Sequence, residues 1–147
     1  MNIFQLEFES KLREWAELRQ NLVPKPLDQK CIEIDNFWQQ CPMVNHYLHP
    51  IDMESWPDPW ELLNEGNYCK YARALGMIYT LILLGVRDID FVDAKDENDE
   101  DVVLVLVDDA KYILNYWPDT VVNNCLTDFK IIKRYNISAI IKKIGQA

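Results

Sequence analysis

The 147-residue chain lacks the features that mark several large classes of protein. Its main apolar run, from Ala74 to Leu84, is too short to span a bilayer, which takes about 20 residues. The N-terminus has neither the positive start nor the apolar stretch of a signal peptide. The sequence has no P-loop, Gly-rich nucleotide turn or HExxH motif, and its four glycines are scattered. We therefore expect no membrane association and no nucleotide or other cofactor.

Positive charge is also scarce, because 24 acidic residues stand against 15 basic ones and give a formal charge of −9. This balance argues against a nucleic-acid binder, whose affinity comes largely from neutralising phosphates. Five of the basic residues gather near the C-terminus, where we expect a solvated face that offsets an acidic neighbour. They are Lys130, Lys133, Arg134, Lys142 and Lys143.

The four cysteines, at positions 31, 41, 69 and 125, fall at no metal-ligand or CxxC spacing. We interpret them as reduced thiols in a cytosolic setting. The acidic stretch 96–100 does not fit an EF-hand, because Asp101 stands where the motif needs glycine and Val107 where it needs glutamate. We therefore predict no metal and a solvated hairpin loop here.

The N-terminal region, residues 1–55, is predicted to be helix and loop. Apolar residues recur at helical spacing from residue 2 to residue 22, and Pro24 and Pro26 end that helix. The stretch Cys31–Cys41 predicts a second, short helix closed by Pro42. The apolar stripe of the first helix is expected to contact the core.

The stretch from Trp56 to Gly85 is the predicted centre of the molecule. Asp58, Pro59 and Glu61 form a helix start, with Asp58 as cap, Pro59 at the first position and Glu61 reaching back. A second helix is predicted from about residue 68 to residue 84, with a cysteine in its first turn. It is apolar on nearly every face, so it should be buried on all sides.

Strand patterns follow Gly85. Alternation over 86–94 predicts a half-buried strand, and the β-branched run 102–107 predicts a central strand buried on both faces. Residues 111–115 and 127–135 predict two more strands, and 137–144 a short helix with an isoleucine stripe. We predict one α+β domain over 1–147, with N-terminal helices and a central buried helix packed on a small antiparallel sheet. Residues 56–136 would form the core helix and an antiparallel meander, and 137–147 the C-terminal helix.

Both histidines of the chain, His46 and His49, lie in the predicted loop 44–56. With Asp52 the pair could form three metal ligands. A histidine beside aromatics and proline more often packs or caps, and that interpretation is favoured.

A cysteine that opens a buried helix, followed by a hairpin and by a strand that ends in Leu-Asn, resembles the transglutaminase-like branch of the papain-like cysteine enzymes. The resemblance covers about residues 60–125. The chain also resembles a group of uncharacterised tailed-bacteriophage proteins, through the strings LHPID, WPDPWELL and YCKYARALGMIYTLILL. This second likeness implies no chemistry.

The first resemblance implies three site positions. Cys69 matches the nucleophile, Asp101 stands where the family has histidine at the start of a strand, and Asn115 stands where it has aspartate. Asparagine can orient an imidazole, as it does in papain-like relatives. A carboxylate, however, cannot supply the imidazolium that keeps a cysteine ionised. The triad is therefore expected to be degenerate, unless His46 or His49 serves as an unusual base.

We accordingly expect a non-catalytic transglutaminase-like phage protein that binds another protein, from the phage or its host. It would act in the host cytoplasm or the virion, as a virion component or a modulator of a host factor. The alternative is a cysteine-dependent hydrolase or acyl transferase with Cys69 as nucleophile and Asn115 as orienter. Nucleic acid and membrane are not expected as partners, and the oligomeric state is left open.

Overall fold

A computed structural model describes residues 2–44, 48 and 53–145 of the chain. Within them the elements run in the order α1 (Phe8–Leu22), α2 (Leu27–Trp38), α3 (Pro59–Asn64), α4 (Lys70–Leu83), β1 (Ile89–Lys95), β2 (Asp101–Val107), β3 (Tyr112–Leu114), β4 (Lys130–Tyr135) and α5 (Ile137–Gly145). Short 3-10 turns cover Ile3–Gln5, Met53–Ser55 and Leu126–Asp128. The described helices include none that is long and apolar enough to cross a membrane.

The two N-terminal helices form where the sequence predicts them, with shifted ends. The chain first makes the turn Ile3–Gln5, which Asn2 caps by accepting the N–H of Phe4, so α1 starts only at Phe8. The second helix, α2, starts at Leu27 rather than at the predicted Cys31. Pro26 at its N-cap explains the earlier start, because a helix start needs no N–H donor there.

The short helix α3 has the predicted capping box. Asp58 Oδ1 accepts the backbone N–H of Glu61 at 2.8 Å, and Glu61 Oε1 accepts that of Asp58 at 3.3 Å. Pro59 takes the first helical position, where its fixed φ suits the helix and its missing N–H costs nothing. The start of this helix is therefore determined by neighbouring residues of the sequence.

The central helix α4 is buried along most of its length, as predicted. Its start differs by a small step, since Cys69 is the N-cap and not a first-turn residue. Thr80 in α4 forms a polar centre within this apolar region. Its Oγ1 accepts the indole N–H groups of both Trp15 and Trp38, each at 3.0 Å, and donates to the carbonyl of Gly76. One hydroxyl thus ties α1 and α2 to α4.

In the described residues, four strands form one antiparallel sheet in the order β3-β2-β1-β4. The run 102–107 lies in the interior strand β2, and α4 packs on that strand, so this prediction is confirmed. The predicted meander covers β1 to β3 only. The last strand, β4, crosses to the far side of β1, because β3 is three residues long and Ile113 N–H donates to Val121 O of the loop beyond it.

Both faces of the sheet are covered. Phe91, Val103 and Val105 face α4, whereas Val92 and Leu104 belong to a second apolar cluster on the other face. The predicted half-buried alternation of β1 is therefore incomplete, because Tyr116, Leu126 and Phe129 from the later loops pack over the second face. The C-terminal helix α5 buries Ile140 against the first cluster, with the other isoleucines of its stripe around it.

Candidate functional site

Cys69 lies at the floor of a cleft of about 760 Å³ between the start of α4 and the sheet. Its side chain is 3% exposed. The described residues that line the cleft come from the segment before α3, the start of α4, and strands β1, β2 and β4. They are Met43, Val44, Leu48, Cys69, Lys70, Tyr71, Asp93, Ala94, Lys95, Asp101, Val102, Val103 and Ile132.

The segment beside Cys69 is fixed by backbone contacts. Tyr68 N–H donates to Pro42 O at 2.8 Å, and Val44 N–H donates to Tyr68 O at 2.7 Å. Farther along, Leu48 N–H donates to Cys69 Sγ at 3.4 Å. The thiol is therefore held by a backbone donor from the predicted loop. His46, His49 and Asp52 lie outside the described residues, so their proposed roles as base or ligand stay predictions.

Asp101 shares the cleft with Cys69, and its carboxylate is paired with a lysine that lines the same cleft. Its side chain is 86% exposed and pairs with Lys95 Nζ at 3.0 Å. Its backbone carbonyl accepts a hydrogen bond from Lys70 Nζ at 3.1 Å. An exposed carboxylate that neutralises a neighbouring lysine does not perform the task of an imidazole.

Asn115 lies in a neighbouring, smaller cleft of about 420 Å³, which also contacts Lys70 and Asp101. Its amide makes three hydrogen bonds. Nδ2 donates to Lys70 O at 3.1 Å and to Val103 O at 2.8 Å, and Oδ1 accepts from Arg73 Nε at 2.5 Å. With φ of 70° it adopts the left-handed conformation that asparagine tolerates better than most residues. The side chain thus joins α4 to β2.

The backbone of Asn115 is held as well. Its N–H donates to Asp35 Oδ1 at 2.9 Å, across 80 positions of sequence. Asp35 is 1% exposed, and its Oδ2 has no hydrogen-bond partner among the described residues. Burial raises the pKa of this carboxyl, and the Asn115 N–H opposes that shift. Asn115 therefore stands at a polar junction between α2, α4 and the sheet.

A second polar group in the Cys69 cleft was missed by the sequence analysis. Asp93 accepts the hydroxyl of Tyr71 at 2.8 Å and that of Tyr135 at 2.5 Å. Burial, assisted by the bond to Asp93, raises the pKa of Tyr71 to about 12, and the same causes raise that of Tyr135. The phenols thus stay neutral donors at neutral pH. The sequence contains a pattern that could have identified this residue. Ile89, Phe91 and Asp93 are spaced two residues apart in one strand, so the three side chains lie on the same, inward face.

The acidic loop between β1 and β2 is closed by Asp96. Its Oδ1 accepts the N–H groups of Asn98 and Glu100, and its Oδ2 accepts the hydroxyl of Tyr116. The N–H of Glu100 is the largest cause that lowers the pKa of Asp96. Over the described ranges, no three acidic, histidine or cysteine side chains come together as a metal site.

The helix-on-sheet arrangement, with a cysteine opening the central helix, is a transglutaminase-like fold. Legionella pneumophila LapG, which has the transglutaminase-like cysteine protease fold, is similar in structure with a TM-score of 0.65. The alignment covers 84% of this chain and 72% of LapG, at 18% sequence identity. A likeness at this identity shows the fold and carries no activity with it. No protein-family model matches the sequence, and no curated protein sequence matches it.

Proposed function

We propose that this chain is a non-catalytic protein on a transglutaminase-like scaffold that acts by binding another protein. The observation that carries the proposal is the state of Asn115, at the position where the family resemblance requires a group that orients an imidazole. The Nδ2 group of Asn115 donates two hydrogen bonds to backbone carbonyls, and its Oδ1 accepts one from Arg73 Nε. An orienting residue accepts an imidazole N–H through its oxygen, and in this chain that oxygen already accepts from the guanidinium of Arg73, so the amide serves the fold.

Asp101 supports the same conclusion. A cysteine enzyme of this type needs a cationic or basic group that stabilises the thiolate and moves the proton. Asp101 is anionic, largely exposed and paired with Lys95. The remaining cleft groups near Cys69, among the described residues, are two neutral phenols on Asp93 and the lysines Lys70 and Lys95. A lysine ammonium has no lone pair with which to take the thiol proton, so it does not replace the imidazole as a base.

The setting of the function is inferred from sequence alone. From the resemblance to tailed-bacteriophage proteins we propose that the protein acts in an infected host, in the cytoplasm or in the virion, as a virion component or a modulator of a host factor. An immunoblot of purified virions and of infected-cell lysate separates these two roles.

One contact favours the alternative of a cysteine-dependent hydrolase or acyl transferase. Leu48 N–H donates to Cys69 Sγ, with 3.4 Å between the nitrogen and the sulfur. In the sequence, His46 lies two residues before Leu48, and His49 follows it directly. The loop that carries both histidines therefore reaches the thiol at one point. A histidine base would have to act without Asn115 as its orienter.

Cys69→Ala separates the two functions. Immobilised wild-type protein and the Cys69→Ala variant are incubated with lysate of infected host cells, and bound and cleaved proteins are quantified by mass spectrometry. We expect the two proteins to retain the same partner in comparable yield, with no cleavage or acyl transfer that depends on Cys69. A product formed by the wild type and absent with Cys69→Ala would overturn the proposal.

A further inference from the structure

Asp35 on α2 is a buried carboxyl that the proposed function does not use. It is 1% exposed and forms no ion pair within residues 2–44, 48 and 53–145. Its Oδ1 accepts the N–H of Asn115 at 2.9 Å and Nε2 of Gln39 at 3.3 Å, whereas its Oδ2 has no partner among those residues. Burying a carboxylate without a paired cation is costly, so such a group tends to bind a proton instead.

The charged groups around Asp35 do not remove that cost. Burial is the largest influence on the pKa of Asp35 and raises it; Arg73 of α4 opposes the rise, and Asp119 of the loop after β3 adds to it. On α2 itself the nearby titratable group is Cys31, whose pKa burial raises to about 12, so this thiol carries no charge at neutral pH. Strand β3 packs on α2 with Tyr112 as its one titratable side chain.

Asp35 also fastens the segment that closes one edge of the sheet. Strand β3 has three residues, and the chain beyond it is tied back by the bond from Ile113 N–H to Val121 O. The bond from Asn115 N–H to Asp35 Oδ1 joins this segment, residues 112–121, to α2. A short element at the edge of a sheet is the kind that opens locally while the rest of a domain stays folded. Opening of this segment would return the carboxyl of Asp35 to water.

We propose that Asp35 makes the segment 112–121 a pH-sensitive latch on α2, closed when Asp35 is protonated and loosened when it is ionised. The side-chain bonds of Asn115 to Lys70 O, Val103 O and Arg73 set the free energy of opening, and the charge of Asp35 varies it with pH. This latch is a property of the fold, and it stands whether or not the chain is catalytic.

The direction of the pH dependence follows from the two states of the latch. In the open state Asp35 is hydrated and has the ordinary aspartate pKa of about 3.9, whereas in the closed state burial raises its pKa. The closed state therefore binds the proton more tightly and is favoured most below about pH 3.9. Closure weakens as the pH rises from there to the raised value, and it is constant above that value.

A different account of the same contacts predicts no pH dependence. The attraction of Arg73 and the two hydrogen bonds to Oδ1 could stabilise the carboxylate enough to offset its burial. Asp35 would then have the same pKa in the open and closed states, and the latch would not respond to pH.

Amide hydrogen exchange of the full-length protein measures the opening, followed by NMR between pH 4 and pH 8 and corrected for intrinsic exchange. The amides of Ile113 and Asn115 report on the latch, because their hydrogen bonds hold it closed. Amides of α4 report on unfolding of the core, and those of β4 on the opposite edge of the sheet.

Three variants assign the titrating group. Asp35→Asn removes the charge and keeps Oδ1 as an acceptor. Glu33→Gln is the matched control, since it makes the same chemical change at a partly exposed carboxyl of α2. Asp119→Asn removes the carboxylate that opposes ionisation of Asp35, at an exposed position whose φ of 65° suits asparagine, so this variant should fold.

We expect Ile113 and Asn115 to exchange faster than α4, and their opening to increase with pH while that of β4 does not. A closed-state pKa one unit above the ordinary value corresponds to a tenfold increase in the opening equilibrium. Asp35→Asn should abolish the increase, Asp119→Asn should reduce it, and Glu33→Gln should leave it unchanged.

Three results would overturn the latch. The first is opening of the wild type that does not change with pH. The second is an increase that persists in Asp35→Asn or, if that variant does not fold, an increase that Asp119→Asn leaves unaltered. The third is exchange of Ile113 and Asn115 only as slow as that of α4, because the segment would then open only when the whole domain unfolds.

Discussion

Thr80→Val tests whether one buried hydroxyl holds the helical half of the molecule together. The substitution keeps the volume of the side chain but removes the acceptor of two indole N–H groups, each 3.0 Å away in the native protein. A buried donor left without a partner costs about 1–3 kcal/mol. Two such donors, less the benefit of no longer burying the hydroxyl, give an expected loss of about 2–4 kcal/mol. That is a large share of the roughly 5–15 kcal/mol by which domains are stable.

Urea unfolding followed by circular dichroism measures this loss without relying on tryptophan emission, which the substitution itself would alter. Thr80→Ser is the matched control, since it keeps the hydroxyl and removes one methyl group. We expect it to cost about 1 kcal/mol, close to the value for one buried methylene. If Thr80→Val is no less stable than Thr80→Ser, the two indole hydrogen bonds do not contribute as argued.

Further substitutions test the packing and the turns. Gly76→Ala should destabilise by about 1–3 kcal/mol, because its Cβ would lie 2.5 Å from the ring of Trp38, whereas Gly66→Ala, with nothing within 4 Å, should be tolerated. Asp109→Gly should stabilise by about 0.5–1 kcal/mol, because this exposed residue has φ of 55°. Leu104→Asp should prevent folding, since it places a charge in a strand position that is fully buried. Thermal unfolding checks all four, and a stable Leu104→Asp or an unaffected Gly76→Ala would contradict the packing described.

Features with a local cause could be predicted from the sequence. The capping box at Asp58 and Glu61 needs only neighbouring residues, and α4 and β2 follow from apolar patterns within one segment. The position of β4 in the sheet, next to β1, could not be predicted from a local pattern. Its own residues specify a strand, but its partner is selected by the shortness of β3 and by the loops that cover that edge.

The candidate site likewise contains residues that a local pattern predicts and residues whose role depends on the tertiary fold. Cys69 was found because a cysteine before a buried helix is a local pattern. The use of Asn115 as a junction was not, because its partners Asp35, Arg73 and Val103 are brought together only by the tertiary fold. The sequence pattern and the family resemblance therefore indicate which residues are candidates for a site. The hydrogen bonds of the folded protein decide what each of those residues does.

The most direct test of the non-catalytic account is the pH dependence of Cys69 alkylation in the folded protein. The measurement uses a Cys125→Ser background, because Cys125 is exposed and a hydrogen bond from Thr127 lowers its pKa. Iodoacetamide labelling of Cys69 is followed by mass spectrometry between pH 5 and 9. A thiol without a histidine partner should label slowly at low pH and faster as the pH rises. Rapid labelling at pH 5, as a cysteine–histidine ion pair gives, abolished by His46→Ala or His49→Ala, would contradict the account.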